Sequence, residues 1–322
     1  MAALPLTLAI RDYDHVPPLA LGDVLPDGIA LTVVRAFDAL ERFLAEPAIE
    51  AGETSFSQYL RRVAAGDRSL VGLPAFVMRE FRHRCLFVRR GSGLRDVTEL
   101  AGRRVGVDAW AATGNVWARA IMREAGVRLD GVRWMVGPVN PGDRPASVEG
   151  LPVHVEVAPP GRALGEMVAL GDLDAMMAPW PPTGFDAPES PLTRLYPDYR
   201  HVEREYYRRT RIFPGQHIVA LRRPLVDRHP WVVPSLYDAL VRARERSEAN
   251  HRVLHESSPW VLADLEEQSA LMGSGFQPYG CRDRENREMV AAFCAEQLAQ
   301  GLIARPLDPD ALFADFLAVV DK

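Results

Sequence analysis

Residues 102–118, GRRVGVDAWAATGNVWA, decide how the fold is read. Val105, Gly106 and Val107 make a short apolar strand, small residues form the turn, and an apolar run at helical spacing follows. A strand therefore feeds straight into a helix. The first turn of such a helix carries backbone N–H groups without partners and a partial positive charge, so it attracts an anion. Thr113 and Gly114 stand at that point with no acidic residue to fill the place, which makes them main-chain candidates for holding a ligand's anionic group.

Outward from this stretch, strands and helices alternate. Leu6, Leu8 and Ile10 alternate with smaller residues and predict a first strand ending at Arg11-Asp12-Tyr13-Asp14. IALTVV predicts a second strand, followed by a helix over roughly 37–44, a short strand at Ile49, and a helix from Ser55 to Ala65 closed by Gly66. LVGLPAFV and CLFVRR read as two further strands on either side of an arginine-rich turn. Beyond the opening stretch, Trp134–Val136 and Val153–Val155 are strand-like across a Pro- and Gly-rich connection. ALGEMVALGDLDAMM then gives a helix closed at Gly171 and a buried strand at Ala175–Met177. A long Tyr- and Arg-rich connection leads to a strand IVAL, after which every segment has helical spacing; Asp308 is placed to cap the last helix. The fold class is thus α/β, with helices on the faces of sheets and a helical C-terminal segment. Two lobes are expected: residues 1–89 with 214–322, and residues 90–213. Ligands of such sheets bind at the carboxyl ends of strands, in the crevice between halves.

Composition bounds the partners. The chain has 322 residues, 48% hydrophobic and 25% charged, and a formal net charge of −5, so it offers no basic field for a nucleic acid. Its three cysteines, Cys85, Cys281 and Cys294, show no metal-ligand or CxxC spacing and read as reduced buried thiols. No apolar run reaches the roughly 20 residues of a membrane span, and MAALPLTLAIRDYDHV lacks a basic leader segment, so the expected compartment is the cytoplasm. A homo-oligomer stays open. Nucleotide loops, Walker motifs and G-x-S-x-G elbows are absent from the sequence.

Several phrases resemble the 4,5-dihydroxyphthalate decarboxylase family, which shares the type II periplasmic-binding-protein fold with NMT1/THI5-like proteins. They are DYDHV, TSFSQYL, PAFVMREFRHRCLFV, GRRVGV, GDLDAMMAPWPPTGF, LYPDYRHVEREYYRRTRIFPGQHIVALRRPLVDRHPWV and GFQPYG, and the likeness runs over nearly the whole chain. The resemblance implies a two-lobed, cofactor-independent carboxy-lyase acting on an aromatic carboxylic acid. The chain departs from the family where Pro-Glu-Tyr-Gln-Met-Thr-Ala usually follows the strand, having Asp108-Ala109-Trp110-Ala111-Ala112-Thr113-Gly114 instead, and where Trp180 replaces an arginine. Losing an acid, an amide and a cation implies an altered specificity, toward a less charged or bulkier acid.

Non-oxidative loss of CO2 from an electron-rich ring requires a proton for the carbon that bears the carboxylate, and groups to hold the anion. That scheme needs neither metal nor organic cofactor, and none is expected. His217, in FPGQHIVAL, matches the family's histidine and is the leading proton donor, with Gln216 beside it; its alternative is a structural histidine at a strand start. His83, with Arg79 and Arg82 on the turn REFRHR, is either a carboxylate grip with a second acid or a solvated basic turn. Asp12 and Asp14 polarise a ring hydroxyl or orient a histidine while Tyr13 stacks on the ring, or all three serve the turn. Ser55 and Ser57 bind ligand or cap a helix. Trp110 and Trp180 are pocket walls or packing. Two other readings on this scaffold are a binding protein for an aromatic acid and a different lyase or dehydratase of a natural-product pathway.

Overall fold

A computed structural model describes residues 2–145, 147–148, 151–273 and 275–321. The chain opens with β1 (Leu4–Ile10), α1 (Pro17–Ala20), β2 (Ile29–Arg35), α2 (Ala39–Ala45), β3 (Ala51–Ser55), α3 (Phe56–Ala64) and β4 (Leu70–Arg79). Next come β5 (Leu86–Arg89), β6 (Arg104–Val107), α4 (Thr113–Glu124), β7 (Arg133–Val136), β8 (Val155–Val157), α5 (Leu164–Leu170), β9 (Ala175–Met177), β10 (Leu192–Arg194) and α6 (Tyr199–Thr210). After β11 (Gly215–Arg222) only helices follow: α7 (Arg223–Arg228), α8 (Val232–His251), α9 (Val261–Met272), α10 (Arg284–Ala299) and α11 (Ala314–Val320).

Two units result, Met1–Arg79 with Gly215–Lys322, and Glu80–Pro214. Residues 80–89, expected with the first lobe, belong to the second unit because β5 pairs antiparallel with β9 and β10. The first unit's sheet has the order β2-β1-β3-β11-β4. β1 runs parallel to β2 and β3, whereas β11 runs antiparallel to both β3 and β4. A strand arriving from far along the chain is thus wedged into a sheet built by the first 79 residues. Its neighbour β4 is covered on both faces, which is why LVGLPAFV is a continuous apolar run without alternation. α3 buries Phe56, Tyr59, Leu60 and Val63, the i, i+3, i+4, i+7 stripe of an amphipathic helix. Phe56 stacks on Phe293 of α10 at 4.9 Å and meets Phe76 of β4 edge-on at 5.2 Å, so the C-terminal helices complete this core.

In the second unit the sheet order is β10-β5-β9-β6-β7-β8. Gly171, at φ 84°, ends α5 in the left-handed conformation that glycine adopts without strain, and releases the chain into the buried β9. Several details differ from the sequence reading: the short strand expected at Ile49 is β3, which begins at Ala51, and β10 was not expected. The connection before β11 contains α6, started by Asp198, whose carboxylate accepts from the His201 N–H at 3.2 Å. Strand β8 begins at Val155 rather than Val153, and residues 146, 149 and 150 of the connection before it lie outside the described residues. Asp308 caps the 3-10 turn Pro309–Ala311, not α11. Among the described residues no helix is long and apolar enough to cross a membrane.

Gly52 shows how tightly the first sheet is packed. A Cβ built there would lie 2.2 Å from Cγ of Phe43, a fully buried ring on α2. Gly52→Ala is expected to lower stability by about 1–3 kcal/mol through overpacking, read as a lower urea midpoint at unchanged slope.

Candidate active site

The chemistry of the first unit gathers where β1, β3 and β11 lie side by side. Glu53 sits inside β3 with its side chain wholly removed from solvent, because β1 and β11 flank it. A carboxylate so placed is costly unless donors replace its water. Three do. The Arg11 N–H donates to Oε2 at 2.8 Å, the Tyr13 O–H to Oε1 at 2.6 Å, and His217 Nδ1 lies 2.5 Å from Oε1. Burial works to raise the Glu53 pKa, but the bonds and charge from His217, the Tyr13 hydroxyl and the Arg11 amide outweigh it and leave the pKa lowered. The carboxylate is therefore an acceptor, and Nδ1 of His217 must be a donor.

That fixes the imidazole. With Nδ1–H committed to Glu53, Nε2 is the nitrogen left to exchange a proton with a ligand, and the carboxylate stabilises the imidazolium. The His217 side chain keeps 13% of its surface exposed, enough for a reactant to touch it. Burial and the Glu53 carboxylate both push the Tyr13 phenol up, so it stays an O–H donor. Tyr13 also stacks on His15 with ring centroids 5.4 Å apart and planes 4° from parallel. Asp14 accepts from His15 Nδ1 and His251 Nε2, each at 3.0 Å. Of the residues singled out from sequence, Tyr13 and His217 meet at Glu53, while Asp14 lies with His15 and His251.

Other expected residues are committed elsewhere. Asp12 is 63% exposed and pairs with Arg35 at 2.9 Å, so it is a surface carboxylate that polarises nothing in this cluster. Ser55 caps α3, accepting from the Gln58 N–H at 3.4 Å, and the buried Ser57 hydroxyl accepts from Gln297 Nε2 of α10 at 2.7 Å. Gln216 is fully buried in β11. Arg79 straps the 276–280 loop: its Nε donates to the Pro278 carbonyl at 2.9 Å, it bonds Asn286 Oδ1, and its guanidinium lies over Phe76. It holds protein rather than offering a free carboxylate grip.

In the second unit the helix start of the opening stretch has Ala112 as its N-cap, which cannot cap with its side chain. The Asp108 carboxylate accepts from Asn115 Nδ2 at 2.7 Å and is pushed up by burial. Arg82 fills the remaining space: a Cβ on Gly114 would lie 2.5 Å from its guanidinium carbon. Its NH1 meets Glu80 at 3.1 Å, while its buried Nε has no hydrogen-bond partner, so this helix start is packed with protein and is not an open anion site. Thr113 is buried at the first helical position. Trp110 is no open pocket wall. It is nearly buried, with the Arg119 guanidinium 3.9 Å from its ring centroid and Trp134 edge-on at 5.6 Å. Trp180 is 43% exposed on the loop after β9. His83 is corrected as a second acid: it is buried against Tyr196 and Tyr206, and burial lowers its pKa to about 4, leaving no proton to deliver near neutrality. Burial likewise pushes the Cys85 thiol up to about 11. No cluster of metal-ligating side chains occurs among the described residues.

No family model matches the sequence. Among curated proteins, a 4,5-dihydroxyphthalate decarboxylase of Comamonas testosteroni is 31% identical over a 326-residue alignment covering 97% of both chains. A protein of the same name from Pseudomonas putida is 30% identical over 214 residues, 65% of this chain and 83% of the relative. Among solved structures, the desulfurization enzyme DSZB has a TM-score of 0.52 at 15% identity, with 99% of each chain covered. The alkanesulfonate-binding protein SsuA of Xanthomonas axonopodis pv. citri has 0.51 at 16% identity over 98% of each, and the periplasmic sulphonate-binding SsuA of Escherichia coli 0.50 at 15% over 95% and 91%. At such identities the likeness is one of fold, the periplasmic-binding-protein fold.

His83 makes a measurable pH signature. Its folded pKa of about 4 lies below the ordinary 6.5, so between these values the unfolded chain binds more protons and stability rises with pH. The contribution is complete above 6.5 and lost on acidification toward 4, up to about 3 kcal/mol. The difference in unfolding free energy between wild type and His83→Gln is expected to rise from pH 4 to 7, the comparison cancelling the opposite slope of Glu203, whose pKa burial raises to about 7.

Proposed function

The chain belongs to the 4,5-dihydroxyphthalate decarboxylase family, and on that premise we propose that it removes CO2 non-oxidatively from a hydroxylated aromatic carboxylic acid, with His217 as the proton donor. The observation that carries the assignment is the Glu53–His217 pair. A buried carboxylate with all its donors accounted for has one chemical consequence for the imidazole it grips, a fixed tautomer whose Nε2 is the nitrogen left to exchange a proton with a ligand.

In the proposed step Nε2–H protonates the ring carbon that bears the carboxylate. The C–COO− bond then breaks, CO2 leaves, and its bonding pair restores the aromatic ring. Positive charge on the imidazole is lost in the first half of the step, and solvent returns the proton afterwards. Glu53 acts on the resting state: it stabilises the imidazolium that must be present before reaction, while Tyr13 and the Arg11 amide keep the carboxylate from taking the proton itself. The scheme calls for no metal and no organic cofactor. Replacement of the family's usual acid, amide and cation at Ala109, Ala111 and Trp180 supports a ligand less charged or bulkier than 4,5-dihydroxyphthalate, so several hydroxylated benzoates and phthalates belong in the assay.

CO2 release from such a panel is expected for at least one acid. His217→Ala should cut kcat by on the order of 100-fold or more, the usual range for removing a general acid. Glu53→Gln should also lower kcat, because the imidazole loses the carboxylate that accepts from Nδ1 and fixes its orientation. Tight binding of the panel without CO2 release would overturn the assignment in favour of a receptor for aromatic acids.

A further inference from the structure

The turn that carries Tyr13 is held from a distance. Helix α8 ends beside it, and two residues one turn apart on that helix, Ser247 and His251, both reach Asp14. The hydroxyl of Ser247, a buried residue, donates to the Asp14 main-chain carbonyl at 2.8 Å. His251 Nε2 lies 3.0 Å from Asp14 Oδ2. The hydrogen bond from His15 lowers the Asp14 pKa, so this side chain is a carboxylate that only accepts, and the nitrogens facing it, His15 Nδ1 and His251 Nε2, are donors. Main chain and side chain of one residue are therefore gripped separately by a helix 233 positions further along the chain.

From Asp14 the constraint passes to Tyr13 through His15. With Nδ1 bonded to Asp14 at 3.0 Å, the His15 ring lies face to face with that of Tyr13, centroids 5.4 Å apart and planes 4° from parallel, and Tyr279 meets it edge-on at 6.2 Å. A phenol ring turns about two side-chain bonds, and a flat neighbour held against its face removes that freedom. The Tyr13 O–H is then aimed at Glu53 Oε1, 2.6 Å away, the same oxygen that meets His217. A histidine in the last turn of a helix suits the helix dipole wherever its ring points. Dipole compensation calls neither for Nε2 on Asp14 nor for a serine one turn earlier bonded to the carbonyl of that same residue.

We propose that Ser247 and His251 are positioning residues of the decarboxylation site, holding Asp14 so that the Tyr13 hydroxyl stays on Glu53 and the carboxylate stays on His217. The inference rests on the decarboxylase reading above and extends its machinery to α8. Neither residue touches the reacting atoms, and the effect of both runs through one hydroxyl. Released from α8, the turn lets the Tyr13 O–H swing away from Oε1, the carboxylate loses a donor, and the imidazole is oriented less firmly. Of the two contacts the Ser247 bond is the firmer, because the Asp14 carboxylate that His251 meets is 60% exposed and water competes for it.

The test is a double-mutant cycle on kcat, read as CO2 release from 4,5-dihydroxyphthalate or from whichever hydroxylated benzoate or phthalate of the panel is turned over fastest. Ser247→Ala should lower kcat by roughly 3- to 10-fold and His251→Ala by about 3-fold, each with KM within about twofold. Repeated in Tyr13→Phe, which keeps the Glu53–His217 pair but lacks the hydroxyl being held, the same substitutions should change kcat by less than about twofold. A merely structural role would lower kcat by the same factor in both backgrounds. Equal losses with and without the hydroxyl, or no loss in the wild-type background, would overturn the inference and leave the decarboxylase reading standing. If Ser247→Ala does not fold, His251→Ala decides by itself. Wild-type protein that releases no CO2 from any acid of the panel would overturn that reading, and the inference with it.

Discussion

An ionised carboxyl group with no surface exposure has to be surrounded by donors, and Glu53 imposes that requirement on the whole first unit. It draws in the main chain after β1 through Arg11, the side chain of that same turn through Tyr13, and the first residues of β11 through His217. The donors come from two stretches far apart in sequence, so meeting the requirement sets the turn geometry, the placement of β11 between β3 and β4, and the orientation of the imidazole at once. Hydrophobic packing around Phe56 and Gly52 makes the sheet stable. The carboxylate makes it specific.

Much of the scaffold was legible from residue pattern. Short β-branched runs, glycines at helix ends such as Gly171, and the strand-to-helix stretch around Val107 each report a local property, and local properties survive in a one-dimensional reading. α6 was not legible, because its buried surface is mainly Tyr206 and Tyr207 inside a run dense in arginine and glutamate, which gives little apolar period. Candidate residues fared according to how far their partners lie along the chain. His217 and Tyr13 were identifiable; Glu53 was not, since a charge in a short segment reads as solvated and only β1 and β11 closing over it reverse that. One usable signal was present: an acid enclosed by small residues in AGETS, directly before an amphipathic helix. The same long-range logic separates His83, in the 3-10 turn His83–Cys85, from His217 in β11: burial lowers the pKa of the first, whereas the second meets the Glu53 carboxylate. Arg79 and Ser57, each open from sequence to a ligand or a structural role, meet partners far along the chain, Pro278 and Gln297, while Trp110 is covered by the nearer Arg119.

Similarity in fold to sulfonate-binding proteins and to a desulfurization enzyme illustrates how little the scaffold decides. What separates capture from turnover is whether the groups beside the ligand can exchange a proton with carbon. A hydrogen-bonding cradle made only of main-chain N–H groups and arginines can hold an anion but supplies no general acid. An imidazole oriented by an ionised carboxylate is a group of the other kind.

The insertion of β11 between β3 and β4 also has a temporal consequence. During translation Glu53 leaves the ribosome some 164 residues ahead of His217, its partner in space. Until then the carboxylate has lost only part of its eventual surroundings, and the nascent sheet keeps a vacant slot bordered by unpaired strand edges, which are prone to association with other chains. The intervening 135 residues, Glu80–Pro214, form a unit with its own sheet, so they have the means to fold while the earlier segment waits. Chaperone demand in the cell should therefore peak between the synthesis of Arg79 and that of Arg222.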